Sequence, residues 1–100
     1  MTLQDCPFII DRVDLSEGPY YIMGQIATFI RDGELSDTEA ACVFAHLNKM
    51  AELDGETKNL LVVGVLEILT DTPQSIERTR TGLNRGAASI LFERVIRGWT

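Results

Sequence analysis

From residue 19 onward, apolar positions recur at helical spacing in blocks that glycine and proline separate. Tyr20, Met23, Ile26, Ala27 and Ile30 fall three or four residues apart, the interval that lines one face of an α-helix. Gly18-Pro19 opens this block, with Pro19 at the first helical position, where a missing N–H is no loss. Asp32-Gly33 closes it, because glycine takes the left-handed conformation of a C-terminal stop at no steric cost. The second block starts at Ser36-Asp37-Thr38-Glu39, which has the form of a capping box. In that motif the Ser36 hydroxyl accepts from the Glu39 N–H, and the Glu39 carboxylate reaches back to the Ser36 N–H. Ala40, Val43, Phe44, Leu47, Met50 and Ala51 follow on one face, and Asp54-Gly55 ends the helix.

Residues 56–70 read differently. Leu60, Leu61, Val62, Val63, Val65, Leu66, Ile68 and Leu69 leave almost no polar face. The β-branched residues favour a strand, while the length and the helix signals on either side favour a helix. The spacing predicts a helix buried on most sides. Gly64 within it costs roughly 1 kcal/mol relative to alanine, which implies close approach of a neighbouring helix. Thr72-Pro73 restarts the chain with an N-cap and a first-turn proline, for a short helix through Ile76 and Thr79 ending near Gly82. Asn84 to Gly86 starts the last helix, whose face is Ala87, Leu91 and Val95 with Ile90 and Ile96 beside it. Gly98 ends it, and Trp99 is expected to fold back as an anchor. Residues 7–13 predict at most a turn or short helix. The whole is an all-α single domain: a small bundle of four to five helices around a central apolar helix at residues 60–69.

Composition agrees. One hundred residues, 45% of them hydrophobic and 7% aromatic, suit one modest, mainly aliphatic core. No apolar run nears the roughly 18 residues needed to span a bilayer, and the N-terminus shows no secretory pattern. Cytoplasmic residence is the expectation. Cys6 and Cys42 form no Cys-x-x-Cys and have no histidine pair nearby. Two reduced, partly buried thiols are expected, with no metal site and no cofactor.

Charge changes the picture more. Residues 1–72 hold 13 acids and 4 bases, a balance of −9, and residues 73–100 hold 2 acids and 5 arginines, a balance of +3. An acidic first part argues against nucleic acid or an anionic membrane and suits a basic protein partner. First helical turns account for Asp37, Glu39 and Glu56. Asp11, Asp14, Glu17, Asp32, Glu34 and Glu52 have no such local reason, and Glu52 lies near the unfavourable end of a helix. Asp11, Asp14, Asp32, Glu34 and Glu52 are therefore the candidate partner-binding acids. Tyr20 and Tyr21, adjacent and unable to enter the same core together, are the candidate anchors.

Catalytic chemistry finds little support. His46 is the sole histidine, and it sits at the edge of the apolar stripe. The run at residues 32–37 does not place a glycine or a bidentate acid where a calcium loop needs them. Glu67 is the one acid interrupting an apolar segment, expected to meet a C-terminal arginine or to point to the rim. No catalytic residue is assigned.

One resemblance adds to this reading. Glu56-x-x-x-Asn59-Leu60-Leu61-Val62-Val63-Gly64-Val65-Leu66-Glu67, then Leu83-Asn84-x-Gly86-Ala87-Ala88-Ser89, then Gly98-Trp99, resemble a family of small helical bacterial proteins. That family includes immunity partners of polymorphic or contact-dependent toxins. The likeness covers about half of the chain, and Asn84 stands where the family pattern has glycine. It implies a helical fold and a protein that neutralises a toxin domain, such as a nuclease, by covering its active site. Two other classes stand beside it: an acidic protein-binding regulator or phage-type inhibitor, and an enzyme using Glu67 or His46.

Overall fold

The helices begin and end at residues whose chemistry marks those points. The computed structural model describes residues 6, 12–53 and 55–98. A 3₁₀ turn at Leu15–Glu17 is capped by the Asp14 carboxylate, which accepts from the Ser16 N–H. α1 spans Pro19–Arg31, with Pro19 in its first turn. α2 spans Asp37–Ala51 behind the full capping box of Ser36 and Glu39. α4 spans Pro73–Leu83 with the Thr72 hydroxyl accepting from the Ser75 N–H, and α5 spans Ala87–Ile96. Between α2 and α4 runs α3, residues 56–69. No strand occurs among the described residues, and none of their helices is long and apolar enough to cross a membrane.

α3 is continuous but not uniform. Glu56–Leu61 and Glu67–Leu69 are α-helical, and Val62–Leu66 between them forms a π turn in which the Glu67 N–H reaches the Val62 carbonyl. A π turn holds one residue more than an α turn. It resolves the apolar crowding of this segment: Leu61, Gly64, Val65, Leu66 and Leu69 are buried, while Val63 is turned outward and is 47% exposed. α3 packs against all four other helices, which makes it the centre of an all-α bundle of five.

Three close approaches set the packing. α1 crosses α3 where Gly24 lies near the Gly64 carbonyl and the Ile68 side chain, and Gly64 lies near Tyr20 and Met23. α2 crosses α4 with the Phe44 ring seated on Gly82, leaving no room for a Cβ there. The Asn48 side chain joins the same helices to α5. Its Nδ2 donates to the Leu83 carbonyl at 3.1 Å, and its Oδ1 accepts from the Ala88 N–H at 3.0 Å. The α4–α5 turn takes its reversal at two non-glycine residues, Asn84 (φ 46°) and Arg85 (φ 63°). Asparagine tolerates this region better than most side chains, so it can stand where glycine was the expected residue.

Two expectations need correction. The buried face of α5 is Ala88, Leu91 and Phe92, while Ile90 is 63% exposed and Ala87, Val95 and Ile96 are only partly covered. The helix is rotated by about one position, which takes the largest apolar side chain, Phe92, fully inside. The cysteines are not two reduced thiols: Cys6 and Cys42 are bonded, with Cα atoms 6.3 Å apart across 36 residues of sequence. Sequence spacing did not reveal the pair because folding, rather than a local motif, brings them together. Residues 7–11 of the element expected at 7–13, and the Trp99 anchor, lie outside the described residues.

Candidate partner-binding surface

The candidate partner residues fall in three separate places, with Asp11 outside the described residues. The first is the outer face of α1 near its start. Pro19 fixes the helix there, so Tyr20 and Tyr21 leave it on adjacent spokes, 41% and 52% exposed. The Tyr20 hydroxyl accepts from Asn59 Nδ2 at 2.7 Å, which ties that ring to α3. Asp14 is fastened alongside: its N–H donates to Gln25 Oε1 at 3.1 Å, and Gln25 Nε2 donates to its carbonyl at 3.2 Å. Gln25 lies one helical turn after Tyr21, so Asp14 and the tyrosines share one face. The Asp14 carboxylate accepts from the Ser16 hydroxyl at 2.6 Å and the Ser16 N–H at 3.0 Å. These bonds favour the ionised form and hold its pKa below the usual carboxylate range. Both tyrosines border a shallow hollow of about 460 Å³ floored by Gly24, Phe29 and Ile68.

The second place is the α1–α2 connection, which carries Asp32 and Glu34. Arginines interleave with these acids. Arg31 Nε pairs with Asp32 at 3.0 Å, and Arg31 Nη1 pairs with Asp71 at 2.8 Å. Arg78 of α4 donates to the Ile30 carbonyl at 2.7 Å and the Arg31 carbonyl at 3.3 Å, at the negative end of the α1 dipole. Arg12 lies 3.5 Å from both the Glu34 carbonyl oxygen and the Glu39 carboxylate. Glu39 is held below the ordinary glutamate range, first by its bond from the Ser36 N–H and also by the Arg12 charge.

The third place is Glu52, the C-cap of α2. Fifteen helical residues separate it from Ser36, a rise of roughly 22 Å. A single acidic edge of Asp32, Glu34 and Glu52 is therefore not formed. Asp32 and Glu34 are neighbours, and Glu52 belongs to the other end of the bundle.

The residues considered for chemistry are also placed. Glu67 is exposed and borders a hollow with Lys58 and Arg94. His46 is 6% exposed, on the inner side of α2. One grouping was missed in the sequence: Cys6, Cys42 and His46 bring their ligand atoms within 4.8 Å of one another. Its only sequence signal is the four-residue step from Cys42 to His46, which puts both on one helix face. Comparison with protein-family models, curated proteins and solved structures found no match to this chain.

Proposed function

We propose that this chain is an immunity protein, a cytoplasmic inhibitor that binds a cognate bacterial toxin domain of nuclease type and covers its active site. The observation that carries this reading is the exposed Tyr20–Tyr21 pair with Asp14 fastened beside it. Tyr20, held by its hydrogen bond to Asn59, and Tyr21, carried on the same rigid helix, lose little conformational freedom when a partner covers them, and such aromatics commonly anchor interfaces. The ionised Asp14 and the net charge of −6 suit a basic groove of the kind a nuclease offers its substrate. Charge complementarity raises the association rate and selects the partner, while the buried anchors set the lifetime. The likeness of residues 56–99 to immunity proteins points the same way.

The test is affinity capture from the host with the full chain, followed by protection of cells making the captured toxin. A Tyr20→Ala/Tyr21→Ala variant with unchanged helical circular dichroism should lose capture and protection together. Equal protection by that variant would reject this face. Capture of a partner with no toxic activity would favour the acidic-regulator reading instead.

A further inference from the structure

We infer that Cys6, Cys42 and His46 form a redox-gated metal site, which takes a thiolate-preferring divalent cation of the zinc type when the cysteine pair is reduced. The inference is independent of any toxin partner. Two cysteine sulfurs and an imidazole nitrogen lie within 4.8 Å of one another. A tetrahedral zinc ion needs Zn–S of about 2.3 Å and Zn–N of about 2.0–2.1 Å, which places its ligand atoms roughly 3.5–3.8 Å apart. Once the bond between them is reduced the two sulfurs can separate to that spacing, and side-chain rotation brings the imidazole nitrogen into it. Cys42 and His46 stand one turn apart on α2, a rigid helix, and Cys6 comes from a distant part of the chain across 36 residues. The site is also sheltered: Cys6 is fully buried and His46 is 6% exposed. Shielding from bulk water strengthens metal–ligand electrostatics and slows exchange.

The bonded pair and the metal exclude each other, because a sulfur committed to a disulfide is not a thiolate ligand. Opening requires two electrons from a cellular thiol of the glutathione class. Two thiols reduce the Cys6–Cys42 bond, giving two cysteine thiols and one external disulfide. Metal binding then displaces the two thiol protons to solvent, and His46 ligates as the neutral imidazole. Three protein ligands leave the fourth position to water or to a group brought by a partner. In either state Cys6 stays tethered to α2, by a covalent bond when oxidised and by the metal when reduced.

Cobalt(II) is the probe, added to the full chain after reduction with a non-thiol phosphine and exclusion of air. Reduced protein should bind one cobalt per chain, with thiolate charge-transfer absorption and the intense visible bands of a tetrahedral site. Zinc should displace it. Oxidised protein of the same sequence should show neither signal. Cys42→Ser should abolish the charge-transfer bands. His46→Asn retains both cysteines, so it can be purified folded in its oxidised form and reduced alongside the parent. It should bind at least tenfold more weakly, in line with the loss of a metal-site group. No cobalt signal from the reduced parent would overturn the inference. So would equal binding by the oxidised parent, or unchanged affinity and visible bands in His46→Asn.

Discussion

Arg80 and Glu93 make a well-formed ion pair, with Nε at 2.7 Å and Nη2 at 3.1 Å from the two carboxylate oxygens. That two-pronged bond holds the Glu93 pKa below the ordinary glutamate range, with burial opposing it and Arg97 adding a smaller push. A carboxylate depressed in the folded state contributes stability above its unfolded pKa, and loses it as pH falls through the folded value. In a carbon-detected titration, Glu93 should therefore protonate below the ordinary glutamate range. Arg80→Ala should move it back up, and the stabilities of variant and parent should converge in acid. The effect on stability is small, because side chains 51% and 32% exposed are well screened by water. Residues acting on their own neighbours were the legible ones: Pro19, the Ser36–Glu39 box and Thr72 do what their local chemistry requires. Cys6, Cys42 and His46 were not, since Cys6 meets the others only once the chain has folded.

At the scale of elements, the crossings are where single atoms decide. Gly82 lies against the buried Phe44 ring, and an added methyl would occupy the ring's own space. Gly82→Ala should cost about 3 kcal/mol or more as overpacking, read as a lower denaturation midpoint with unchanged slope. Gly64→Ala is the control. Its Cβ would meet the flexible end of Leu60 at 3.3 Å and otherwise make ordinary contacts with Tyr20 and Met23. It should stay within about 1 kcal/mol of the parent, because the gain in helix propensity offsets the adjustment. Helix existence and caps were readable because periodicity and capping are local. The π turn and the rotation of α5 were not. Both depend on which large side chains the neighbouring helices admit: Val63 is sent outward at one place and Phe92 is drawn inward at the other.

For the whole molecule, the division of charge along the sequence is softened in space, both by a C-terminal arginine that reaches α1 and by pairing within the acidic part. Arg78 from the basic C-terminal part caps α1, and Arg31 bridges Asp32 to Asp71. Fields from such neighbours partly cancel beyond a Debye length of about 8 Å at physiological salt. Steering of the proposed basic partner would therefore rest on a few exposed acids. Asp32→Lys/Glu34→Lys should slow association roughly tenfold at low salt, with the difference vanishing at high salt and helix content unchanged. Equal rates at low salt would assign steering to the Asp14 side. The Cys6–Cys42 bond has a consequence of a mechanical kind. A motor pulling the oxidised chain from its N-terminus would load the middle of α2 directly, because the bond bypasses the 3₁₀ turn and α1. The 36-residue separation would stay shut off as a closed loop, withholding roughly 120 Å of extension at about 3.4 Å per residue. Reduction would return that length and shift the first point of failure from the bundle's interior to its edge.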